Sequence, residues 1–76
     1  MEYKNNDYSR LRGRIVEKCR TLGSFAGRIG ISDVTLTRKL TNRVDWTQSE
    51  IGRTCEVLEI PNSEIGAYFF NGAVLK

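Results

Sequence analysis

Arg38 is the side chain with the most chemical content in this sequence, because a guanidinium on an outward helix face can donate two parallel hydrogen bonds to guanine O6 and N7. A helix advances about 100° per residue. Leu36 and Leu40 then define one direction, and Arg38 lies nearly opposite, with Val34, Thr41, Asn42 and, at the edge, Thr37 on its side. The threonines can contact base edges or phosphates, and Val34 can either pack on a thymine methyl or join the core. Asp33 admits two readings, an acceptor for cytosine N4 or a carboxylate complementing a helix N-terminus. A second set suits phosphate. Thr21, Ser24, Ser32, Thr47 and Gln48 fall at helix starts, where unpaired amides favour anions, and Lys39, Asn42 and Arg43 lie near the end of the Arg38 helix.

Catalysis finds little support. The 76 residues contain no histidine, no glycine-rich phosphate loop after a strand, and no nucleophile and base that the spacing brings together. Cys19 and Cys55 alone cannot complete a four-ligand zinc site. Both fall on apolar helix stripes and read as reduced, buried small hydrophobes. No enzyme activity, metal, cofactor or small-molecule substrate is expected.

Charge is unevenly spread. Residues 10–43 carry nine basic side chains against two acids, net +7, whereas residues 44–76 carry two against five, net −3. A basic half suits a polyanion, although charge runs are usually solvated faces. No apolar run approaches the roughly 20 residues that span a bilayer. The N-terminus lacks a signal-peptide core, so the expected location is the cytoplasm.

Five short helices are needed to position these residues, in one all-α domain over 1–76. Leu11, Ile15, Val16 and Cys19 recur on one face of a helix from about Tyr8 to Cys19, with Asp7 as N-cap. A second spans about Leu22–Ile29 after Thr21, and a third follows Ser32 to about Thr41 or Asn42. Thr47 and Glu50 make a capping box that starts a fourth, ending near Leu58. A fifth runs from about Ser63 to Tyr68, and the tail, 69–76, reads as extended or frayed. Trp46 invites a base-stacking role, but a tryptophan just before a capped helix is more often a hydrophobic staple, here against Ile51. Glycines 13, 27, 52 and 66 fall inside proposed helices, which requires either close helix approaches or modest stability.

The segment 22–41 meets the steric demands of a tight helix-turn-helix. Ala26 is small where the helices approach, Gly30 can take the positive φ that ends the first helix, and Leu36 fills the angle beside Phe25 and Leu40. With YSRLRGRIVEKC (Tyr8–Cys19), FAGRIGISDVTLTRKLTN (Phe25–Asn42), WTQSEI (Trp46–Ile51) and LEIPNSEIGAYFF (Leu58–Phe70), the chain resembles the phage repressor and Cro-type helix-turn-helix superfamily, particularly small phage-encoded Cro-like regulators of Gram-positive bacteria. The resemblance implies a lambda-repressor-like domain of about five helices, operator binding with the third helix in the major groove, transcription regulation and action as a homodimer. One departure stands out. The superfamily often starts its first motif helix with a phosphate-contacting glutamine, where this chain has Leu22 and then Gly23.

The main expectation is therefore sequence-specific binding of a double-stranded DNA operator. The alternative reuses the same helices as a module that binds a repressor or host factor. An exposed apolar patch would favour that alternative or a homodimer face, with Tyr68, Phe69, Phe70, Val74 and Leu75 as candidates.

Overall fold

Apolar side chains at helical spacing, punctuated by caps, build the observed architecture. A computed structural model describes residues 7–70. Its elements are α1 (Ser9–Cys19), α2 (Leu22–Ile29), α3 (Asp33–Leu40), α4 (Gln48–Leu58) and α5 (Ile65–Phe69), with a single 3-10 turn, Asn62–Glu64, leading into α5. The all-α class and the five helices agree with the sequence. No helix among the described residues is long and apolar enough to cross a membrane.

Helix α1 packs on α2, α4 and α5, and α2 packs on α3 and α4. Leu11 and Ile15 of α1, Phe25, Ala26 and Ile29 of α2, Leu36 of α3, Leu58 of α4 and Phe69 of α5 are almost wholly withdrawn from water. Fully burying each larger apolar side chain contributes about 1.5–3 kcal/mol. Leu40, Cys19 and Ile60 complete the same cluster. Val16 was expected inside but is 56% exposed, because α1 rotates Leu11, Ile15 and Cys19 alone into the core.

The caps explain where the helices start. Thr21 Oγ1 accepts from the Ser24 amide at 3.0 Å, and Ser32 Oγ from the Thr35 amide at 3.1 Å. The Thr47–Glu50 capping box is complete, with both reciprocal bonds formed. Two boundaries differ from expectation. Tyr8 holds the cap position of α1, while the Asp7 carboxylate accepts from the Ser9 amide at 2.9 Å, a bond that holds its pKa below the usual 3.8. Helix α3 stops at Leu40 because Asn42 adopts φ 65° and the Arg43 amide closes on the Arg38 carbonyl at 2.8 Å.

Arginines from other helices finish two C-termini. Arg14 Nε donates to the Leu58 carbonyl at 2.9 Å and another guanidinium nitrogen donates to the Glu59 carbonyl at 3.0 Å. Arg53 Nε donates to the Ile29 carbonyl at 3.0 Å. These bonds supply donors to carbonyls that a helix end leaves unpaired. Both cysteines are free thiols, Cys19 buried and Cys55 half-buried, and burial pushes the Cys55 thiol above its ordinary pKa.

Candidate functional site

Helix α3 presents its outer side as an open groove of about 500 Å³, lined by Asp33, Val34, Thr37, Arg38, Thr41 and Arg43. The corner behind it forms as the spacing demands. Gly30 takes φ 79°, its amide bonds back into α2, and Ser32 caps α3 two residues later. Leu36 is fully buried while Arg38 is exposed. The sequence thus orients α3 correctly.

The chemistry of that face is more apolar than expected. Val34 is 59% exposed and so does not join the core, and Val44, just past the helix, is 40% exposed. Thr41 Oγ1 donates to the Thr37 carbonyl at 2.8 Å, which commits its hydroxyl hydrogen to the helix backbone. Arg38 and Arg43 have no ion-pair partner among the described residues.

Lys39 is a clear correction. It was expected to touch phosphate, but only 3% of its side chain is exposed and its ammonium pairs with Glu50 at 2.8 Å. It also donates to the Asp45 carbonyl at 2.8 Å and lies 5.8 Å from the centre of the Trp46 ring. Burial favours the neutral Glu50 carboxyl, but the Lys39 and Thr47 hydrogen bonds and the Lys39 charge outweigh it and lower the pKa from 4.5. One carboxylate therefore closes the capping box of α4 and anchors the last turn of α3.

Other parts of the basic segment are likewise occupied internally. Arg14 caps α4, Lys18 pairs with Glu59 at 3.2 Å, and the Arg10 guanidinium lies 4.9 Å from the centre of the Tyr68 ring. Asp33 rests against the first turn of α2, where a Cβ on Gly23 would stand 3.3 Å from its carboxylate. That position favours the helix-terminus reading of Asp33. It also places a negative charge beside the amide end that a DNA-reading corner offers to a phosphate. Thr21, Ser32 and Thr47 have their hydroxyl oxygens engaged as caps, while Ser24, Gln48 and Asn42 lie at the expected helix ends.

Trp46 belongs to the core edge, with its ring 5.1 Å from Phe69 in a T-shaped contact and 6.4 Å from Tyr8. Trp46 and Ile51 are both partly buried against the core cluster. The expected apolar tail patch does not form as a unit. Tyr68 and Phe69 are buried, Phe70 is 49% exposed, and Val74 and Leu75 lie outside the described residues.

A family model described as a protein of unknown function, DUF739, matches residues 2–72. The chain belongs to that family. Among solved structures, this DUF739 protein is similar to the modulator of repression (MOR) of the temperate bacteriophage TP901-1 from Lactococcus lactis. Identity is 42%, the TM-score is 0.79, and the match covers 93% of this chain and 96% of the other. Comparison with curated proteins gives no match.

These matches support a small helical phage-type regulator and do not support the Cro-type superfamily. They overturn the main functional expectation. A relative this similar over nearly the whole chain modulates repression, so operator reading by the chain itself, with duplex DNA as its partner, is withdrawn. The homodimer expected on that operator goes with it. Arg38, Thr37, Val34, Thr41 and Asp33 keep their place on one face, but their base-reading roles, and the phosphate roles of the cap residues, are not carried forward.

Proposed function

We propose that this DUF739 protein modulates repression by binding a repressor protein, as a non-catalytic partner in a bacterial host's cytoplasm. The observation that carries this reading is the 42% identity, over 93% of the chain, to a phage modulator of repression. Two features of the chain are consistent with a protein partner. Three of the nine basic side chains in residues 10–43, Arg14, Lys18 and Lys39, are engaged internally, so less of that charge is left for a phosphate backbone. Aliphatic surface also stands open on α3 at Val34 and just beyond it at Val44.

The test is sedimentation velocity of the purified chain with and without the repressor from its own genome, beside selection of duplexes from a random pool. The expected result is a complex of fixed stoichiometry with the repressor and no enriched DNA sequence. Enrichment of a defined duplex by the chain alone, without a repressor complex, overturns the reading.

A further inference from the structure

We infer that the outer face of α3 is the repressor-docking surface, and that its occupant is a segment presenting an aliphatic side chain flanked by carboxylates. This rests on the proposed function above and assigns its contact face. The groove has an apolar element, Val34, and a second exposed valine, Val44, lies just beyond the helix end. Two arginines, Arg38 and Arg43, line the same groove. An aliphatic side chain in the groove would remove Val34 from water, and carboxylates beside it would meet guanidinium groups in the paired geometry that arginine favours.

Charge complementarity selects this occupant. Elsewhere in the fold, Arg14, Lys18, Lys39 and Arg53 are satisfied by carbonyls or carboxylates of the chain itself. Arg38 and Arg43 have no such partner among the described residues, as the exposed Arg20 and Arg28 have none, but Arg38 and Arg43 line one groove with the exposed Val34. Unpaired guanidinium groups beside aliphatic surface match an acidic and apolar protein segment. A phosphate backbone is disfavoured because it carries no aliphatic group for Val34, and because the Asp33 carboxylate at the head of the groove repels it from the first turn of α2. A second copy of this chain is disfavoured because a two-fold contact would bring four arginines together against two Asp33 carboxylates.

The face is also held in shape before any partner arrives. Ser32 caps the start of α3, the Arg43 amide closes its end, and the buried Lys39–Glu50 pair fixes its last turn to α4. Val34 and Arg38 are exposed, so replacing them leaves the buried core intact.

The experiment measures affinity for the repressor from the same genome by isothermal titration, with thermal melts to confirm folding. Arg38→Glu and Val34→Lys are each expected to weaken binding by roughly tenfold or more, because each sets a like charge or a desolvated cation against the partner. Arg20→Glu and Val16→Lys, exposed outside the groove, are expected to stay within about twofold. Arg38→Lys keeps the charge but not the bidentate geometry and is expected to fall between.

The outcomes separate cleanly. If the wild-type chain fails to bind the repressor, the proposed function itself falls. If the wild-type chain binds and the groove variants match it, only the docking surface is wrong. Loss of binding in Arg20→Glu or Val16→Lys, with the groove variants intact, moves the surface to α1. Retention of a random duplex by the wild-type chain, lost in Arg38→Glu, makes this a nucleic-acid face and also overturns the inference.

Discussion

Replacing Lys39 by methionine isolates the interaction that ties α3 to α4. The Lys39 side chain is 3% exposed and its ammonium pairs at 2.8 Å with Glu50, whose side chain is 13% exposed. Removing one member of a buried pair costs about 3–5 kcal/mol, because the other charge loses its partner where water cannot replace it. Glu50 keeps some water and its bond from the Thr47 amide, so about 2–3 kcal/mol is expected for Lys39→Met. A domain of this length has about 4–11 kcal/mol of stability in total, and each kcal/mol moves Tm by about 4–8 °C. The variant should therefore melt about 8–24 °C lower.

Glu50→Gln strands the ammonium instead and should cost a similar amount. In the double variant the two losses should fall short of additive by about 1–3 kcal/mol. Because the folded Glu50 pKa is depressed, its contribution is present above pH 4.5 and is lost as pH falls through the folded value. Glu50→Gln should flatten that part of the stability profile. Thermal and urea unfolding of the four proteins measures all of this. Strict additivity, or single variants within about 0.5 kcal/mol of wild type, would refute a buried, coupled pair.

Four further outcomes are expected. Gly13→Ala and Gly52→Ala should each stabilise the fold by up to about 1 kcal/mol, since both positions are helical and an added Cβ meets nothing within 4 Å. Gly30→Ala should instead destabilise by about 1 kcal/mol, because φ 79° is costly for any residue with a Cβ; equal melting of these variants would contradict the assignment of the turn. Thr47→Ala should lose about 1 kcal/mol in urea unfolding through the broken capping box, and amide exchange should rise first at Glu50. Arg14→Ala should lose about 1 kcal/mol and raise amide exchange in the last turn of α4, and unchanged exchange there would remove its capping role.

The α2–α3 corner was readable because every requirement is local. Thr21, Ala26, Gly30, Ser32 and Leu36 each act within one or two turns, and the structure places each as expected. The start of α4 was readable for the same reason, since Thr47 and Glu50 cap one another three residues apart. The fate of the basic residues was not. Lys39 is buried by Glu50 on a different helix, and Arg14 reaches carbonyls 44 and 45 positions away, so no helical periodicity reveals either. Val16 fits the apolar spacing of α1 and still faces water, because three other side chains already fill the space beneath that helix. The partner was hidden by chemistry. A guanidinium on an outward helix serves a guanine edge, a phosphate or a carboxylate equally well, and the relative at 42% identity counts only against operator reading.

The double anchoring of α3 bears on how long a complex lasts. An eight-residue helix restrained at an amide of its first turn, a carbonyl of its last turn and one deeply set side chain has little conformational freedom left to surrender when it is covered. For the repressor docking proposed above, encounter rates should then differ little among repressor variants, and selectivity between them should be written in dissociation rates.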